Sequence, residues 1–143
     1  MKNFFLILGS IFVVIFSMFA STKGLQDIFS IDLKDPSIKQ VYASGDLGFA
    51  FEKQDTAQSL LYLEGDRVIG ECIVLNGSEN KVNYVVEKLG LNIINKYYLE
   101  KKLMIEGVSA LLPYRLESSN INVQICFQNG SIIIGSPIIY GNY

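Results

Sequence analysis

The sequence contains no histidine and no tryptophan, and only two cysteines and three prolines. Without histidine it lacks the commonest metal ligand and the side chain that most often moves protons near neutral pH. No catalytic residue, no metal site and no cofactor is therefore expected. The acidic pairs Asp32/Asp35, Glu64/Asp66 and Glu100/Glu106 do not have the spacing of a calcium loop and read as solvated turns and faces. Gly65 and Gly70 have the spacing of a phosphate loop but are not followed by its lysine and hydroxyl residue. Cys72 and Cys126 both fall in expected strands and read as small apolar fillers, with a disulfide as the alternative. Cys72, which alternates with Val68 and Val74, is expected to point inward.

Positive charge is also scarce. From residue 25 onward ten lysines and arginines face all 14 acids, which leaves a net charge of −4. Such a domain is poorly suited to a phosphate backbone, which is held by lysine and arginine.

Hydrophobic residues, by contrast, make up 50% of the chain. Phe4 to Ala20 is a run of 17 residues without a charge, preceded by Lys2 and followed by Ser21-Thr22-Lys23-Gly24. This is the layout of a secretory signal, but a cut after Ala20 would place Met18 where a small residue belongs. As a helix the run would cover about 25 Å, the short end of what spans a bilayer core. Residues 1–24 are accordingly read as a signal anchor or a cleaved signal peptide. Lys2 and the α-amino group outweigh Lys23, so the positive-inside bias places the remainder outside the cell. The expected localisation is the cell membrane with the domain facing outward, or secretion if the signal is cleaved.

Residues 25–39 read as a connector with two helical turns over Leu25, Ile28, Phe29 and Leu33, ended before Pro36. Residues 40–143 read as one α+β domain. A strand interrupted at Gly45 and Gly48 is expected over 41–51, followed by a hairpin around Glu64-Gly65-Asp66. One helix is clear: Ser78 is a suitable N-cap, Val82, Val85, Val86 and Leu89 recur at helical spacing, and Gly90 follows as a C′ residue. Ile93 to Glu106 alternates, which predicts two strands joined near Glu100-Lys101 with the odd positions forming one apolar face. Tyr97-Tyr98 and Lys101-Lys102 could form a polyanion patch, although alternation puts neighbours on opposite faces.

Asn129-Gly130 between two β-prone runs is the best local signal, and it predicts a two-residue type I′ hairpin. The register it fixes puts Val123, Ile125, Phe127, Ile132 and Ile134 on a core face that receives the helix. Asn122, Gln124, Cys126 and Gln128 fall with Ser131 and Ile133 on the other face. That face is expected to be uncovered and is the candidate interaction surface. The isoleucines near the end of the chain are then a sheet strand, ended by Pro137.

The segments IEGVSALLPY, NINVQICF and SIIIGSPIIYGNY resemble the C-terminal half of the YwmB family, exported or membrane-anchored proteins of Gram-positive bacteria. The motif positions are Gly107, Ser109, Asn120 or Asn122, Val123, Gly135, Ser136, Pro137, Ile138, Ile139 and Tyr143. Departures include Ser136 for threonine, Asn142 for an acid and a hairpin loop cut to two residues. The resemblance implies a fold like that of the TATA-box-binding protein, a saddle of antiparallel sheet with helices on its convex side, or a reduced version of it. It would make the amide face the concave surface. The expected function is a non-enzymatic, extracytoplasmic interaction domain whose partner is an envelope component, another protein or a second copy. A nucleic-acid-binding module and a small envelope enzyme are the alternatives.

Overall fold

The computed structural model describes residues 23–33, 40–44, 58–64 and 67–139, with side chains placed for 23–33, 61–62 and 67–139. The apolar run 4–20, Pro36, Gly45, Gly48, the Gly65-Asp66 turn and Tyr143 lie outside the described residues. The strands are β1 (Gln40–Ser44), β2 (Gln58–Glu64), β3 (Arg67–Asn76), β4 (Asn92–Leu99), β5 (Lys102–Val108), β6 (Val123–Gln128) and β7 (Ser131–Ser136). The helices are α1 (Leu25–Ile28) and α2 (Glu79–Lys88). All seven strands form one sheet in the order β1-β2-β3-β7-β6-β5-β4. β2 to β7 pair antiparallel, and β1 is added parallel to β2.

The hairpin chemistry accounts for the centre of this order. Asn129 and Gly130 have φ of 49° and 78°, the positive values that a type I′ turn needs at both central residues. Cys126 consequently faces Ile133, and Phe127 faces Ile132. β7 then pairs β3 along its other edge, with Ile134 opposite Ile73 and Ile132 opposite Leu75. The isoleucine run is therefore a central strand, which explains its lack of charge, and it stops at Ser136 ahead of Pro137.

α2 forms where the apolar spacing predicts it, with Ser78 at the N-cap and Gly90 at φ 54° just past its end. Val82, Val85 and Leu89 are buried on the sheet, and Val86 packs beside them. They meet Ile73, Leu75, Leu103, Ile105, Val123, Ile125, Ile132 and Ile134, the core face expected for β6 and β7. At about 2 kcal/mol per fully buried aliphatic side chain, this stripe holds a helix too short to persist alone.

Three expectations change. Residues 25–33 are not a connector: Leu25 and Phe29 have no exposed surface and belong to the same core. The helix there is a single turn, followed by turns to Leu33. The odd positions of 93–105 do not share a face either. The two-residue turn at Glu100-Lys101 sets Leu99 opposite Lys102, Tyr97 opposite Met104 and Tyr98 opposite Leu103, so parity inverts across it. Only β5 keeps the odd apolar face, with Leu103 and Ile105 buried.

The third change concerns the face away from α2. Tyr62, Cys72, Cys126 and Ile133 are buried there as a second cluster, with Ile69, Val74, Met104 and Ile139 packed against it. Cys72 thus lies on the same side as Cys126, away from α2, because it stands opposite Gly135 and out of phase with Ile73. Both cysteines are buried thiols. The segment after Pro137 folds back across Gly135, whose missing side chain leaves room for the backbone of Ile138 and Ile139.

Candidate interaction surface

The motif residues converge, but on a buried junction. Asn122 and Ser109 have no exposed surface. Asn122 Oδ1 accepts from Ser109 N at 2.8 Å, and its Nδ2 donates to Ser109 O at 2.9 Å and to Leu112 O at 3.4 Å. Ser109 Oγ donates to Leu89 O at the end of α2 (2.6 Å), and Ser136 Oγ donates to Asn122 O at the end of β7 (2.9 Å). Gly107 O accepts from Asn122 N at 3.0 Å, and a Cβ on Gly107 would collide with Asn92 O. Asn122 and Ser109 together therefore tie the ends of α2, β5 and β7 to the loop 109–122. With these polar atoms partnered, the junction is architecture and offers nothing to a ligand. Asn122 is corrected from surface residue to buried hub.

The other three candidates do lie on the face away from α2, though that face is neither open nor amide-rich. Cys126 is 2% exposed, and burial raises its thiol pKa above the ordinary value. Gln124 is half-buried: its Oε1 accepts from Ile139 N at 3.0 Å and its Nε2 donates to Glu106 Oε1 at 2.8 Å. Its amide is used to hold the returning chain. Gln128 lines a shallow hollow of about 260 Å³ between the β4–β5 and β6–β7 turns, with Glu100, Lys101, Lys102 and Asn129. Val123 is buried in the core, Gly135, Ser136 and Pro137 end the central strand, and Ile138 begins the return.

Glu106 organises the polar part of this face. Besides Gln124, it accepts from Asn95 Nδ2 at 3.0 Å and from Tyr97 Oη at 3.5 Å. Burial, and then the Glu106 charge, push the Tyr97 hydroxyl pKa up. Glu106 and Glu100 are separated by the length of β5 and form no dyad. Asp32 is held by Lys88 Nζ at 2.9 Å, Tyr84 Oη at 3.1 Å and Lys81 Nζ at 3.8 Å. No group of three or more potential ligands that could hold a metal ion occurs among the described residues.

The feature that residue-by-residue reasoning missed is β4. It is the outer strand beyond β5, and all eight of its residues are exposed. Five of them are large and apolar: Ile93, Ile94, Tyr97, Tyr98 and Leu99, at 41% to 63% exposure. Tyr97 leans toward Glu106 on one face, and Tyr98 donates to Glu79 Oε1 of α2 on the other at 2.6 Å. The sequence signal was available, since both parity sets of NIINKYYL carry apolar residues while only Lys96 bears a charge. A strand with one buried face alternates polar with apolar, whereas this one does not.

No known protein family matches the chain, and no curated protein and no solved structure matches it significantly.

Proposed function

We propose that this protein is a membrane-anchored, outward-facing interaction domain without enzymatic activity, and that it meets its partner along β4. What supports the reading is the exposure of that entire strand at the rim of the sheet. An edge strand offers unpaired backbone donors and acceptors, and an extended segment added there gains main-chain hydrogen bonds, with alternate side chains giving selectivity. Lys96 and the irregularity between Ile93 and Asn95 are the features that keep such an edge from pairing indiscriminately.

The resemblance to the YwmB family is part of this reading, and the junction of Gly107, Ser109, Asn122 and Ser136 gives its motif a physical reason. The saddle of the TATA-box-binding protein is the finer fold we propose with it, and nucleic acid is not the partner proposed. The face corresponding to the concave surface carries the Tyr62, Cys72, Cys126 and Ile133 cluster and an acid, Glu106. Neither recognises phosphate.

The test uses Lys96→Cys, because Cys72 and Cys126 are buried. A membrane-impermeant maleimide is expected to label this variant in intact cells and to leave the parent chain unlabelled. A photoreactive side chain in place of Tyr98 is expected to give adducts that the same group in place of Asn129 does not. Labelling of Lys96→Cys only after lysis would overturn the outward orientation, and equal adducts from both positions would overturn β4 as the contact.

A further inference from the structure

Where the folded domain begins limits how far it can stand from an anchor. Gly24 N donates to Asp27 Oδ2 at 3.2 Å, and Leu25 N donates to the buried Glu71 carboxylate on β3. A side chain on Gly24 would run into that carboxylate, and Leu25 and Phe29 are sealed in the core. Gly24, Leu25 and Phe29 are therefore fixed to the domain, and only Ser21, Thr22 and Lys23 separate Gly24 from the uncharged run Phe4–Ala20. Fully extended, that stretch spans at most about 14 Å.

Resting on the anchored reading above, we propose that α1 and the turn after it are a membrane-contacting rim, with Ile31 set into the lipid headgroup boundary. Ile31 is 70% exposed, the most exposed large hydrophobic among the described residues. Leu25 and Phe29 face the core, whereas Ile31 projects into solvent. Asp32 cannot follow it, because it is tied to Lys88, Tyr84 and Lys81 of α2. The turn is thereby braced against the domain and presents Ile31 outward. Lys23, exposed at the membrane side of Gly24, is the kind of residue that extends its ammonium to the interface. The partner is the bilayer surface. β4 lies four strands from β3, about 19 Å across the sheet, and is kept clear for a second contact.

The chain has no tryptophan, so Ile31→Trp and Ile94→Trp each create a sole reporter at an exposed position. The full-length variants are reconstituted into phosphatidylcholine and phosphatidylglycerol vesicles with brominated acyl chains and recovered by flotation. A side chain seated some 5–10 Å into the boundary should be quenched relative to the same protein in unbrominated vesicles, and one on β4 almost not at all. Flotation with equal emission from both variants would overturn the rim while leaving the anchor standing. Failure to float would overturn the anchored reading itself, and the rim with it. Ile31→Lys, expected to float without local quenching from a reporter at Ser30→Trp, repeats the test with the apolar contact removed; undiminished quenching there would also overturn the role of Ile31.

Discussion

Asn122 carries an amide into the buried interior, and both polar atoms of that amide are bonded to backbone groups. Asn122→Ala removes the partners of Ser109 N and Leu112 O and leaves Ser109 O only the longer bonds from Arg115 at 3.4 Å. A buried polar group left without a partner costs about 1–3 kcal/mol, and some of the lost contacts are long. We expect Asn122→Ala to lose about 3 kcal/mol of unfolding free energy by urea titration, and a loss below about 1 kcal/mol would show that the junction is not what joins these ends. Glu71 differs in kind. Burial raises its pKa above 4.5, against the opposing effect of the Leu25 hydrogen bond. An acid whose pKa is raised on folding stabilises the folded state below 4.5, and that contribution is lost as pH climbs through the raised value. Glu71→Gln is therefore expected to be more stable than the parent near neutral pH and to show a flatter stability profile above pH 4.5. Identical profiles for the two proteins would rule out ionisation of Glu71 as the cause.

Among the elements, the two hairpin turns show how a local rule can succeed and still leave more to find. Asn129-Gly130 satisfies a positive φ at both positions, so the register of β6 and β7 was legible from two residues. At Glu100 the chain also takes a positive φ, 57°, but glutamate gives no sign of it. The same turn inverts parity between β4 and β5. The face of Ile93 to Ile105 therefore could not be read by counting odd positions without knowing the loop length. Since a left-handed residue other than glycine is disfavoured by roughly 1–2 kcal/mol, Glu100→Gly should raise stability by about 1 kcal/mol after the entropy of glycine is subtracted. The check is a shifted urea midpoint at unchanged slope; a lower midpoint would mean that the Glu100 side chain supports the turn. The valine stripe of α2 was legible because its apolar spacing is unambiguous. The covering of the face away from α2 was not, because it depends on Tyr62 and Ile139 joining one cluster from distant parts of the chain.

For the molecule as a whole, α1 is part of the folded domain. A chain starting at Thr22 retains Leu25 and Phe29 and is expected to unfold cooperatively. One starting at Gln40 leaves open the core that they fill, at about 3–5 kcal/mol for the phenylalanine alone, and is expected to lack a cooperative transition. Equal stability of the two would return residues 25–39 to the role of a connector. Among the described residues no helix is long and apolar enough to cross a membrane. The candidate surface was harder to read than the fold because exposure belongs to the assembled sheet. Gln124 looks like a free amide in the sequence and is spent on Ile139, while Tyr97 falls on the expected apolar face and stands on the rim.

The place of β7 bears on how the chain is made. β7 comes last of the seven strands in synthesis and lies between β3 and β6. Until Ser131–Ser136 has been made, β1 to β3 and β4 to β6 have no shared edge to join them. A chain made from its N-terminus would therefore remain in two unclosed halves until β7 is complete. Its final closure depends on contacts distant in sequence, which form slowly.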